Sequence, residues 1–202
     1  MCPSSQYSSI TNICTKGSFM KKIVQSLFTA SVLISTSLAA VTHANTDVQA
    51  VPNLDLQRYL GEWHEIARKP LKFQKDCAYN VSAKYSLNSK GNLNVDNRCY
   101  KANGEMKQSV GEAYIQNPPA NSKLKVSFLP KSIRWLPVGR GDYWVLKIDP
   151  AYKTVLVGEP DRKYLWLLSK DKQPSQAVIN EYMNYAKSIG YDLSDIIETP
   201  RR

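Results

Sequence analysis

The chain holds only two histidines in 202 residues, and that scarcity decides much of the chemistry it could host. His43 falls in a leader-like stretch, so His64 would stand alone. A Ser/His/Asp triad or a multi-histidine metal site then lacks its central members. There is no CxxC pair, no P-loop and no G-x-G-x-x-G turn. The sequence therefore calls for no catalytic residue, no metal and no cofactor. What remains is Glu65, followed later in the chain by a set of tyrosines. A carboxylate held away from water is costly unless it is protonated or held by hydroxyl donors such as Tyr143 or Tyr164. Glu65 is thus either a satisfied structural acid or a group that senses a ligand.

The elements that would position these groups are strands. Between residues 61 and 170 the chain breaks into short runs rich in Val, Tyr, Leu and Trp, each ended by Gly, Pro, Asn or Asp. Eight strands are expected, over roughly 61–68, 78–87, 92–100, 106–116, 123–129, 142–149, 154–159 and 163–169. In the second, Val81, Ala83, Tyr85 and Leu87 share one side, and in the fifth Leu124, Val126 and Phe128 do so, with polar residues between them. Eight antiparallel strands with one apolar face leave two open edges unless the sheet curls shut, and an eight-stranded up-and-down barrel has room for one small ligand. Alternation from Trp63 points Glu65 and Ala67 inward. The same count puts Ala83, Tyr85, Val95, Val126, Phe128, Tyr143, Tyr164 and Trp166 on the lining, small residues among large ones, which leaves volume. Pro174 and Ser175 then open one C-terminal helix, with Val178, Tyr182, Tyr185 and Ile189 on a stripe and Gly190 as its stop, expected on the barrel's flank.

Residues 1–44 are read as a leader: Lys21 and Lys22, an apolar run and the small-residue exit Thr42-His43-Ala44 have the layout of a secretory signal peptide, with cleavage after Ala44. The run is too short and too rich in Ser and Thr for a spanning helix of about 20 apolar residues. Met20 offers a second start, which would leave Cys2 and Cys14 out of the mature molecule. Removing Lys16, Lys21 and Lys22 with the leader takes the net charge from +10 to +7 and leaves one domain of 158 residues, 45–202. Cys77 and Cys99 are even in number in an exported chain, which favours a disulfide. It would close a loop of about 22 residues and be worth roughly 3 kcal/mol in the chain-entropy model.

In an up-and-down barrel alternate loops lie at one end, so the loops after strands one, three, five and seven share a mouth opposite Trp63. They carry Lys69, Lys72, Lys131, Arg134 and Arg140, interleaved with Phe73 and Trp135. Such a cationic rim with apolar tips suits an anionic membrane surface, at about 1 kcal/mol per well-placed basic residue; the alternative is a set of solvated charges that keep the protein soluble. Net charge and the 12 tyrosines would also suit nucleic acid, but export and an inward aromatic face oppose it.

The run Leu60-Gly61-Glu62-Trp63-His64-Glu65-Ile66-Ala67 resembles the G-x-W opening of the lipocalin family. Asp149-Pro150-Ala151-Tyr152 resembles a loosened form of its second motif, T-D-Y, with Ile148 where Thr would stand. Leu165-Trp166-Leu167-Leu168-Ser169-Lys170 matches the third, which in the family ends on Arg. The resemblance spans about 51–199 and is strongest toward bacterial outer-membrane lipocalins and the apolipoprotein D group. It implies that Gly61, Trp63, Asp149, Tyr152 and Lys170 maintain the fold, with Trp63 at a closed floor and the Lys170 cation across its ring. That contact is worth about 0.5–2 kcal/mol, without the two-pronged bonding of a guanidinium. It also implies a carrier, monomeric or homodimeric, for a fatty acid, lysophospholipid or similar amphiphile, serving lipid storage or transport in the periplasm or at the outer membrane. The alternative is an enzyme on the same scaffold, with Glu65 and Tyr143 as acid and base toward a bound lipid.

Overall fold

The computed structural model describes residues 47–202, so the leader reading lies outside the described residues. The eight expected strands are β1 (Gly61–Arg68), β2 (Tyr79–Leu87), β3 (Leu93–Tyr100), β4 (Met106–Ile115), β5 (Lys123–Ser127), β6 (Gly141–Ile148), β7 (Thr154–Gly158) and β8 (Leu165–Ser169). Each pairs antiparallel with its sequence neighbour, and β1 pairs with both β8 and β2, which shuts the sheet into a barrel. A one-turn helix, α1 (Leu56–Tyr59), precedes β1 and is capped by the Asp55 carboxylate, which accepts from Arg58 N–H. Gly61 makes the entry into β1 at φ +103°, a conformation that side chains rarely adopt.

Two apolar cores share the sheet. The inner one gathers Trp63, Ala83, Tyr85, Val95, Leu124, Val145, Val155, Val157 and Leu168, with Tyr59 of α1 among them. The outer one lies under α2 (Gln176–Ser188), where Leu146, Leu156, Leu165 and Leu167 meet Tyr182 and Ala186. The helix starts where the Ser175 hydroxyl accepts from Val178 N–H, and it stops at Gly190, φ +89°. Strand β7 is buried along its whole length because it has the barrel interior on one side and the outer core on the other. Cys77 and Cys99 are bonded, tying the β1–β2 loop to β3.

β1 departs from simple alternation. Glu65 pairs with Leu168, but Ala67 pairs with Leu167, so the register shifts by one residue between them. Such a bulge exchanges the faces of everything beyond it. Ala67 therefore does not line the interior as expected; it belongs to the outer core beneath α2. Arg68, opposite Trp166, is turned inward in its place. Past the bulge β1 no longer pairs with β2, and a short C-terminal strand, β9 (Ile197–Glu198), lies alongside it. Thr199 N–H donates to the Ile66 carbonyl and Asn80 N–H to the Pro200 carbonyl, so the tail bridges β1 and β2 where they part.

Because Ala67 sits in packed outer core, Ala67→Leu should overpack it and cost about 1–3 kcal/mol in urea unfolding. An unchanged midpoint would mean that Ala67 faces free space.

Candidate functional site

The barrel's closed end is built from aromatic rings. Trp63 is fully buried, and its Nε1–H donates to the Tyr59 carbonyl at 2.8 Å. The Lys170 ammonium lies 5.0 Å from the Trp63 ring centre and donates to the Arg58 carbonyl at 2.8 Å. Burial and the neighbouring Arg58 pull Lys170 below its usual pKa. Asp149 accepts from the N–H groups of Ala151 and Lys153, each at 2.8 Å, which folds the turn that presents Tyr152. The Tyr152 hydroxyl accepts from Asp55 N–H, and its ring takes the Arg58 guanidinium at 4.2 Å. The turn is thereby fastened to α1. On the outer side of this floor a cavity of about 520 Å³ is lined by Arg58, Tyr152, Lys153, Lys170 and Asp171.

Above the floor, Tyr85 and Tyr143 reach inward as expected. The Tyr143 hydroxyl bonds to those of Tyr85, at 2.9 Å, and Tyr59. Burial raises the pKa of all three, Tyr85 to about 12, so they are neutral. Ala83, Val95, Val126 and Trp166 also belong to the inner cluster. Phe128 lies beyond the end of β5 and is 46% exposed, at the lip rather than in the packed well. Its alternation simply runs past the last paired residue, and its ring occupies the space left by Gly111, which lies opposite inward-facing Val95. Tyr164 precedes β8, half-buried, with its ring 6.0 Å from that of Trp166.

Glu65 faces inward and is buried, but neither Tyr143 nor Tyr164 holds it. Thr199 donates to one carboxyl oxygen at 2.6 Å and Gln74 to the other at 2.7 Å, while Arg68 stands 3.5 Å away. Gln74 is fixed in turn by accepting from Trp166 Nε1–H at 3.0 Å. The bulge brings Arg68 to Glu65, and the C-terminal tail brings Thr199; neither is signalled by strand alternation. Burial outweighs these partners and raises the Glu65 pKa. An acid–base pair of Glu65 with Tyr143 is not assembled, since the two bond to different partners.

A second carboxyl on this face, Glu159, was legible by alternation from Val155 and Val157. Its Oε1 lies over Gly141, which pairs with inward-facing Val126. Its backbone N–H donates to Tyr191 Oη and its carbonyl accepts from the same hydroxyl. Burial, then the neighbouring charges of Asp161 and Asp142, push its pKa to about 7.

At the mouth, Phe73 (81%) and Trp135 (71%) are exposed, as are Lys72 and Lys131. The other rim cations have internal duties. Lys69 donates to the Asp192 carbonyl and Asp195. Arg134 donates to the carbonyls of Leu129 and Val110, and Arg140 donates to the Trp135 carbonyl with its guanidinium on the Tyr114 ring. His64 lies on the outer face, paired between Ser82 and Ser169.

A closed eight-stranded barrel with a flanking helix and a tryptophan floor under a cation is a lipocalin architecture, and the comparisons agree. Residues 54–201 match the family model described as "Lipocalin-like domain". The chain is similar to temperature-induced lipocalin-1 of Arabidopsis thaliana, 38% identical over 77% of this chain and 83% of that protein. It is also similar to the outer membrane lipoprotein Blc of Escherichia coli K12, 40% identical over 74% and 81%. Among solved structures, insecticyanin from the tobacco hornworm superposes with a TM-score of 0.56 at 23% identity, covering 76% of this chain and 84% of that one, a likeness of fold. The chain belongs to the lipocalin family.

Glu159 predicts a pH signature. Its folded pKa lies above the ordinary carboxylate value, so between about 4.5 and 7 the folded state keeps a proton that the unfolded state releases. Its contribution to stability is then full below that window and is lost as pH rises through it. Glu159→Gln should remove this part of the fall, seen in urea midpoints at several pH values. Parallel profiles for both proteins would contradict it.

Proposed function

We propose that this chain is an exported lipid-binding carrier, which holds a fatty acid, lysophospholipid or similar amphiphile inside the barrel without altering it. The observation that carries the reading is the inner wall. Ala83, Val95 and Val126 form an apolar band, with the hydrogen-bonded tyrosines toward the closed end and the Glu65–Arg68 cluster toward the mouth. A guest with an alkyl chain and one polar end matches that distribution, and each buried methylene contributes about 0.8 kcal/mol. The leader reading of residues 1–44, the Cys77–Cys99 bond and similarity to a protein named as an outer membrane lipoprotein support a place in the cell envelope, in the periplasm or peripheral to the outer membrane.

The exposed Phe73 and Trp135 beside Lys72 and Lys131 suit docking on an anionic bilayer, where the guest would be exchanged. Arg134 and Arg140 shape the loop that presents Trp135 instead of reaching for head groups.

Organic extraction of the purified protein followed by mass spectrometry should recover a single-chain amphiphile in near-stoichiometric amount; protein that is lipid-free and also takes up no added fatty acid would count against the carrier. Binding to phosphatidylglycerol vesicles should weaken with salt and fall about fivefold for each of Lys72→Ala and Lys131→Ala. Salt-independent binding unaffected by these changes and by Trp135→Ala would remove membrane docking.

A further inference from the structure

The charged cluster at the mouth end of β1 has unspent hydrogen-bonding capacity. Both oxygens of Glu65 already accept short bonds, from Thr199 and Gln74. Arg68 is left with a 3.5 Å ion-pair contact to Glu65 and a long, 3.4 Å bond from Nη2 to the Gln74 carbonyl. Its Nε–H has no partner, although the side chain is only 6% exposed. A guanidinium offers five donors in a fixed fork, and a buried donor left unpaired is costly. Arg68 faces inward beside Trp166, and a second unpaired buried polar atom, Asn97 Oδ1, lies on the same inner face, opposite Ala83. The inner wall thus holds an under-used cation next to an apolar band, the arrangement that an anionic amphiphile would complete.

We propose that Arg68 is the head-group site of the barrel: its guanidinium receives the carboxylate or phosphate oxygen of an alkyl-chain ligand, whose tail runs down toward the tyrosines. This rests on the carrier reading and deepens it, because the head group is held inside the wall and not by the surface lysines of the rim. Glu65 competes for the same guanidinium. It acts as a positioning residue, keeping Arg68 in place when no ligand is present and weakening the ligand's hold when one is.

The test compares probes of equal chain length, dodecanoate, dodecyl phosphate and dodecanol, with inorganic phosphate as a control, by calorimetry on the protein at a pH of about 8. The wild type should bind the two anionic probes about tenfold or more tighter than dodecanol, as expected for a hydrogen bond to a charged group, and should ignore inorganic phosphate. Arg68→Met should bring the three amphiphiles to similar affinities by weakening chiefly the two anionic probes. Glu65→Gln, which keeps the side chain's size and removes the competing charge, should bind dodecanoate several-fold tighter, a gain that a purely structural Glu65 would not produce. Equal wild-type affinity for all three amphiphiles would overturn the head-group site and leave the carrier standing. So would an anion preference that survives Arg68→Met. Absence of binding by every amphiphile would overturn the carrier reading and this site with it. Inorganic phosphate binding as tightly as dodecyl phosphate would mean a free-anion site. If Arg68→Met does not fold, the wild-type panel and Glu65→Gln decide.

Discussion

Closure of the sheet depends on what β1 must do: pair with three different strands in eight residues. Its first half bonds to β2, its second half, from His64 to Arg68, to β8, and its last residues also to β9. One straight strand could not serve all of these while keeping its apolar residues inward, and the bulge between Glu65 and Ala67 resolves the conflict. Beyond it, small Ala67 lies under α2 and Arg68 enters the interior. The gap that opens toward β2 is filled by the tail, whose Thr199 then becomes a partner of Glu65. A local change of register thus creates both the seal of the barrel and the inward Glu65–Arg68 charge pair.

The interior is polarised along its axis. At the closed end the polar atoms are the hydroxyls of Tyr59, Tyr85 and Tyr143, which satisfy one another and are kept neutral by burial. The middle is aliphatic. Among the described residues, charge enters the interior toward the mouth, at Glu65, Arg68 and Glu159. Ionisable groups buried there need partners against desolvation, which Gln74, Thr199 and Arg68 provide to Glu65 while its pKa still rises. The floor below needs no such provision, because Lys170 sits outside it and meets Trp63 through the ring face.

Much of this arrangement was legible in the residues. Turn chemistry between short apolar runs marked the strands, Ser175 and Gly190 bracketed the helix, and alternation placed Ala83, Tyr85, Val95, Val126, Tyr143 and Trp166 on the inner wall. Parity fails where a strand gains a residue, and nothing in Glu65-Ile66-Ala67 announces a bulge; alternation therefore puts Ala67 on the wrong face and leaves Arg68 outside the barrel. The partners of Glu65 were invisible for a different reason. Gln74 lies in a loop and Thr199 some 134 residues away, so only tertiary contact joins them. Glu159, by contrast, lies within reach of the same counting, on the parity of inward-facing Val155 and Val157.

The central claim is that the barrel interior is where an alkyl chain resides. Crystals grown with a fatty acid brominated at its terminal carbon would locate the chain through the anomalous signal of bromine. One enclosed peak is predicted among Ala83, Val95 and Val126, on the mouth side of the tyrosine trio. A peak confined to the outer cavity beside Arg58 and Tyr152, or to the seam between α2 and the sheet, would contradict it.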